Sequence, residues 1–477
     1  MKKFKIKNWS IDNEVQVDSI SDYYKYIFII AIILIPFDNL PYFGKVLGEL
    51  SVRGPVYAFI ILIAITMFDI LKSREIFIYK DKINYILIVF LIWVIISSIA
   101  NFNNILINDF KGRIGIEKLI LQLFVVSFMF LICYITQIII FKKNVTLLDI
   151  RKYILYSTIP VGIYSFFELL NLTGIINFSW IIEKMSGVVH LYNRGEIYTK
   201  GIRSVTGEPS YFAMYSAFVI PWILSYVFTE KDRKKKVQYG LAILYLLILV
   251  IFSKSRVGYA IMFFELVVFS FGILVFRMSK QNKKIIIAFI GIIITIFIGI
   301  NITVFNKIGG DQNSVHELSV SGLIKSLTDK NNMSNVARLG MQKVAVNIGI
   351  DNALVGVGIG QYGFYAKDYV DENALRSNEV QNWINPDTTE NSWPPAFSLY
   401  ARIVAEQGIL GIIIWITLII YTIYSLFIKL RTSYNNILGL ALMTSFLGVL
   451  ISSFNADTFA ISQLWILIAI IVKYKNE

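Results

Sequence analysis

At 477 residues, with 56% hydrophobic and only 16% charged side chains, the chain falls outside the soluble globular class, in which about a quarter of residues are charged. The net charge of +13 raises nucleic acid as a partner. In so apolar a chain, Lys and Arg retained on the cytoplasmic side of a membrane explain it, and no nucleic-acid partner is expected.

The apolar residues fall into runs long enough to cross a bilayer, which takes about 20 residues per helix. Candidate spans are 26–40, 55–71, 83–100, 119–141, 153–170, 211–229, 237–252, 257–276, 285–305, 409–427, 437–454 and 459–472. The expected fold is therefore an all-α polytopic membrane protein of about twelve transmembrane helices, forming a single integral membrane domain over 1–477. The first run ends in Pro36-Phe37-Asp38-Asn39-Leu40 without a small-residue cleavage pattern, so an uncleaved span is expected rather than a signal peptide. With the N-terminus inside, the short loops on that side hold more than half of the 45 Lys and Arg. This bias puts both termini in the cytoplasm. Cys133 is the sole cysteine and lies in an apolar run, and the two histidines, His190 and His316, are far apart. No disulfide framework, metal centre or cofactor is expected.

Two outer loops stand out: 171–208 before the sixth span, and 306–408 between the ninth and tenth. The first ends in Gly201-Ile202-Arg203-Ser204-Val205-Thr206-Gly207-Glu208-Pro209-Ser210-Tyr211. Arg203 offers a planar fork suited to phosphate, and Pro209 suits the first position of a helix. Glu208 reads in two ways, as a charge favoured by the positive end of that helix or as a base for a sugar hydroxyl. Between the seventh and eighth spans, Ser253-Lys254-Ser255-Arg256-Val257-Gly258 concentrates two cations on the outer side, against the topology rule. Snorkelling explains one of them; two with flanking hydroxyls suggest an anion site. Glu265 falls within the eighth span, where a charge costs at least about 2.5 kcal/mol, so it must face the bundle or be protonated, and a structural hydrogen bond is expected of it rather than catalysis.

In the large loop, Ala337, Met341, Val344, Ala345 and Ile348 recur at helical spacing, which predicts a helix over 335–348 capped by Gly349. It carries Arg338 and Lys343. Gly356-Val357-Gly358-Ile359-Gly360-Gln361-Tyr362-Gly363 reads as a glycine-rich turn. Pro394-Pro395 then opens a helix over 396–407, ended by Gly408, in which Arg402 and Glu406 are spaced to pair. Both helices are expected at the outer interface. Arg203, Arg256 and Arg338 thus share the side away from ATP, without an acidic metal cluster, and suit a pyrophosphate recognised by ion pairing.

In these places and in their order, the chain resembles the Wzy-type O-antigen and capsular polysaccharide polymerases, relatives of the O-antigen ligases. The family's Arg…Gly…Glu-Pro-Ser pattern is similar to Arg203, Gly207, Glu208, Pro209 and Ser210, and the Ser-Arg turn shared with the ligases to Ser255-Arg256. The large-loop Arg followed by ten residues and Gly matches Arg338 and Gly349. The last element, an Asn, an aromatic and Glu-x-Gly-hydrophobic-hydrophobic-Gly, matches Asn391, Tyr400, Glu406, Gly408, Ile409, Leu410 and Gly411. Ligases carry a His beside that Asn; here the neighbour is Glu390, which favours polymerase over ligase.

The resemblance implies a GT-C-type fold in the bacterial inner membrane and metal-independent, inverting glycosyl transfer on its outer face. A growing chain on undecaprenyl pyrophosphate would pass to the terminal hydroxyl of a new lipid-linked repeat unit, beside a flippase and a chain-length regulator. On this reading Arg256 and Arg338 hold the donor pyrophosphate, Arg203 positions the acceptor, and Glu208 or Glu390 is the base. Ser210, Tyr211, Lys254, Asn391, Tyr400, Arg402 and Glu406 are the further expected substrate contacts. The alternatives are a ligase-type glycan transferase and, from another class, a flippase for lipid-linked oligosaccharide. A flippase predicts cations lining the spans and duplicated halves, whereas here the cations gather in outer loops.

Overall fold

The computed structural model describes residues 5–9, 21–43, 47–142, 145–276, 278–282, 284–287, 332–388 and 392–476. Glu390, Asn391, His316 and nearly all of the expected span 285–305 lie outside the described residues. The chain is a multi-pass bundle of helices. In order these are α1 (Ser21–Ile33), α2 (Gly54–Ser73), α3 (Lys82–Ala100), the short α4 (Phe102–Ile107), α5 (Gly115–Lys142), α6 (Leu147–Leu172), α7 (Ser179–Val189), α8 (Pro209–Thr229), α9 (Arg233–Phe252) and α10 (Arg256–Val275). Then come α11 (Met333–Asp351), α12 (Tyr362–Tyr369), α13 (Asn378–Ile384), α14 (Leu399–Thr432), α15 (Ile437–Ser452) and α16 (Ser462–Tyr474).

Among the described residues, eight of these helices (α2, α3, α5, α6, α8, α9, α10 and α14) are long and apolar enough to cross a membrane. α15 and α16 are apolar but shorter, and α1 has 13 residues. The strictly all-α expectation needs one amendment: β1 (Lys5–Trp9) pairs in parallel with β2 (Glu75–Tyr79). Glu75-Ile-Phe-Ile-Tyr79 is rich in β-branched and aromatic residues, which fit a pleated surface better than a helix. A two-residue hairpin, β3 (Asp109–Phe110) with β4 (Arg113–Ile114), precedes α5.

The centre of the bundle is α8. Every residue from Phe212 to Phe228 is buried, as expected of a helix that is apolar all round. α15 packs against it, and the Ser445 hydroxyl donates to the Phe218 carbonyl at 2.7 Å. Among the described residues, chain connections distant in sequence meet at two poles. One pole holds the basic connections, where Lys475 pairs with Asp81 at 2.9 Å and the Lys473 ammonium reaches the carbonyls of Ile140 and Val145. The other collects the starts of α2, α8, α10, α14 and α16 and is tied across the bundle, with the Thr458 hydroxyl on Glu49 at 2.6 Å and the Leu399 N–H on the Ser453 carbonyl at 3.0 Å.

Two boundaries in the large loop differ from expectation. α11 does not stop at Gly349; it runs to Asp351, with Asn352 as C-cap. Gly349 is required by packing instead, because a Cβ there would sit 2.6 Å from the Val404 carbonyl oxygen. The last helix starts at Leu399 rather than at residue 396, where Ser398 caps it through the Ala401 N–H. It continues into the span across a kink at Gly408, with φ 66° and ψ −166°. The kink strands carbonyls that a straight helix would bond internally. The glycine-rich segment satisfies them: the Val357 N–H takes the Ala405 carbonyl and the Gly358 N–H takes that of Glu406, both at 3.0 Å. The Trp93 indole takes the Gln407 carbonyl at 3.0 Å.

Candidate active site

At the second pole a cavity of about 470 Å³ opens between the start of α8, the turn 253–255, the start of α10 and one face of α11. Glu208, Ser210, Lys254, Arg256 and Arg338, distant in sequence, all line it. Lys200 adds a fourth cation, and Glu208 is the one carboxylate among the lining residues. Two helices also start there, α8 at Pro209 and α10 at Arg256. Each helix start presents the positive end of the helix dipole. Four cations and two such ends against one carboxylate give the cavity a positive potential.

Local chemistry builds each part. Glu208 is the N-cap of α8 and Pro209 its first residue, as Pro at that position predicts. The Glu208 side chain makes no capping hydrogen bond; it is exposed and accepts from the Ser210 hydroxyl at 3.4 Å. In the turn, Ser255 caps α10 by accepting the Gly258 N–H at 3.2 Å, and Lys254 takes a left-handed backbone, φ 56°. Arg256 is thus a cation at the positive end of its own helix, an arrangement that does not serve the helix. Arg338, on α11, donates to Asn455 at 2.8 Å.

Arg203 does not line the cavity. It is 1% exposed, donates to the Ser186 hydroxyl at 3.3 Å and lies 5.3 Å from the Tyr198 ring, which does line it. The loop around Arg203 hangs on side chains that are buried (Glu168, His190) or nearly so (Asp38). Glu168 accepts the Ser204 N–H at 2.7 Å, and Asp38 accepts the Gly207 N–H at 2.6 Å. His190 Nε2 meets the Thr206 carbonyl at 3.0 Å, and its Nδ1 meets Ser186 Oγ at 3.2 Å. Burial first and the charge of Arg203 second hold the His190 imidazole down at about 3. The ring is therefore neutral at physiological pH, and Nε2 carries the proton because a carbonyl only accepts.

Tyr211, Tyr400, Arg402 and Glu406 lie outside the large cavity. Tyr211 lines a separate cavity of about 30 Å³ with Asp38 and Arg53, and Tyr400 donates to the Leu450 carbonyl at 2.8 Å. Arg402 and Glu406 form the expected pair at 3.1 Å. Arg402 also donates to Gln122 at 2.7 Å and to the Asp457 carbonyl at 2.6 Å. This network is buried and supports the kink of α14. Glu265 is 2% exposed and faces Gly448. The hydrogen bond expected for it is absent among the described residues.

Lys200, Tyr198 and Asn455 at the cavity, and Asp38, Arg53, Glu168 and His190 behind it, were not anticipated from sequence. Only Arg53 left a signal: a cation just ahead of Gly54-Pro55 at a helix start needs a partner there, and that partner is Asp38 at 3.6 Å.

Asp38 gives a stability prediction. Burial, the main cause, lifts its carboxyl from the ordinary 3.8 to about 6; Arg53 and the Gly207 N–H oppose this, and Glu208 adds to it. The folded state therefore holds this proton more tightly than the unfolded chain. The corresponding stability is complete below the unfolded value and is lost as pH rises through about 6. At 1.36 kcal/mol per pH unit the whole span is worth about 3 kcal/mol. The melting temperature of the detergent-solubilised protein should fall between about pH 5 and pH 7, and Asp38→Asn should flatten that fall. Equal slopes for the two proteins would rule Asp38 out as the source.

A family model described as O-antigen ligase (Wzy_C) matches residues 241–416, which supports a place in the O-antigen ligase/polymerase superfamily. The matched stretch contains Lys254, Arg256, Arg338, Arg402 and Glu406 and begins after Glu208. No curated protein matches the chain.

Proposed function

We propose that the chain is a membrane glycosyltransferase that takes its donor glycan from a polyprenyl pyrophosphate and acts at this cavity on the extracytoplasmic side. The observation that carries the reading is the cavity's composition: four cations, two helix starts and a single carboxylate. Its volume falls within the range of small-molecule sites, roughly 300–1,000 Å³. Arg256, Arg338 and Lys254 bind the pyrophosphate. The acceptor hydroxyl attacks the anomeric carbon, Glu208 takes the hydroxyl proton, and the anomeric C–O bond breaks with its electron pair leaving on the lipid pyrophosphate. One displacement inverts the anomeric centre. Charge growing on the leaving group is met by cations already in place. Arg203 shapes the loop that carries Glu208.

We further propose that the acceptor is a lipid-linked repeat unit, making the chain a polymerase of O-antigen or capsular type working with a flippase and a chain-length regulator. The family match favours a second reading with the same chemistry, a ligase that moves finished glycan to another acceptor. A gel of surface glycan from a deletion strain tests all the readings. Single repeat units support the polymerase. Full-length polymer left on its lipid carrier supports the ligase, and repeat units retained in the cytoplasm would overturn both in favour of a flippase.

A further inference from the structure

The loop that brings Glu208 to the cavity is last touched, before that residue, by Asp38. Asp38 belongs to the connection between α1 and α2, 169 residues away from its partner Gly207. We propose that Asp38 is a positioning residue for Glu208: its carboxylate fixes the Gly207 N–H from behind the loop and so sets where the next residue's carboxylate stands in the cavity. This rests on the reading of Glu208 as the base.

Three features carry it. First, the contact is short, 2.6 Å, and charge-assisted, the stronger kind of hydrogen bond. Second, the same carboxylate reaches Arg53 at 3.6 Å, and Arg53 lies 5.2 Å from the ring of Tyr211 on α8. Asp38 therefore braces Glu208 on both sides, through Gly207 before it and through Arg53 and Tyr211 after it. The charged groups acting here are Arg53 and Glu208 on Asp38, with Glu49 acting in turn on Arg53. Third, a carboxylate left only 10% exposed is a poor way to gain stability. A local arrangement that works against stability is expected where a functional group must be held. Packing agrees: a Cβ on Gly207 would stand 3.2 Å from the Asn39 side chain, which leaves the loop little room behind.

A positioning role and a merely structural one differ in how they combine with loss of the base. Displacing a catalytic group by about 1 Å costs on the order of 100-fold, and that cost disappears once the group itself is gone. In proteoliposomes supplied with a lipid-pyrophosphate-linked oligosaccharide, Asp38→Ala should lower kcat about tenfold or more. KM for the donor should stay within about twofold. Added to Glu208→Gln, which is itself slow, Asp38→Ala should cost less than about a further twofold. Asp38→Asn keeps an acceptor for the Gly207 N–H but loses the ion pair with Arg53, so its rate should fall between those of the wild type and Asp38→Ala. If the alanine variant does not fold, the same comparison with and without Glu208→Gln is made with Asp38→Asn, whose rate loss should vanish in the Glu208→Gln background. An equal fold-loss from Asp38 substitution in both backgrounds, or a change confined to KM, would overturn the positioning role while transfer by the wild type leaves the enzyme reading standing. No transfer by the wild type would overturn that reading and this inference together.

Discussion

Arg256→Ala and Arg338→Ala are each expected to reduce glycan transfer by about 100-fold or more, the loss typical of removing one preorganised group aimed at developing charge. Arg256 sits at the positive end of α10, where a cation is disfavoured, and Arg338 is held at the cavity by Asn455. Removing either should weaken the hold on the leaving pyrophosphate, and folded yield of each variant is measured beside its rate. Arg→Lys at each position should give an intermediate rate, since an ammonium keeps the charge but loses the bidentate fork. Polymer yield and length are the readouts in a deletion background. Wild-type polymer from Arg256→Ala or Arg338→Ala would remove that residue from the reaction.

The second large effect is structural. Gly408→Ala places a Cβ on a residue with φ 66° and ψ −166°, a region open in practice only to glycine and costing about 1–3 kcal/mol. That Cβ would also lie 2.5 Å from the Leu354 carbonyl oxygen, a backbone atom fixed by its own chain. Together these should cost about 3 kcal/mol or more, a large share of a protein's usual margin of 5–15 kcal/mol. The expected result is a clear drop in melting temperature and in folded yield. Gly187→Ala is the control, since nothing stands within 4 Å of a Cβ there and alanine favours the helix. Equal behaviour of the two variants would show that the kink of α14 tolerates a side chain.

What could be read from the sequence was whatever a local pattern encodes. Hydropathy located the long helices, Pro209 marked the start of α8, and Gly408 marked a break even though the helix resumes beyond it. Arg256, Arg338 and Glu208 stood out because a charge at the edge of an apolar run calls for an explanation, and the structure gathers them around one cavity. Gly349 misled because a glycine that prevents a clash with Val404 looks in sequence like a helix cap. The supports of the site were hidden for a different reason. Asp38 and Gly207, or Arg338 and Asn455, are joined only by the fold, and nothing near either residue announces its partner. Arg203 shows the same limit from the other side: its spacing suggested a substrate contact, and the fold buries it behind the cavity, with one nitrogen on the Ser186 hydroxyl and Nε and Nη1 without a hydrogen-bond partner among the described residues.

The central claim is that a glycosidic bond is made here, at the expense of a lipid pyrophosphate. The most direct measurement reconstitutes the purified protein in liposomes with an isotopically labelled, lipid-pyrophosphate-linked oligosaccharide and chelator present, then analyses the glycan and lipid products. Lengthened or transferred glycan appearing in step with free lipid pyrophosphate, and lost in Arg338→Ala, is the predicted result. Labelled donor that crosses the bilayer with its glycan and lipid still joined, and no new glycosidic bond, would contradict the claim and make the protein a transporter.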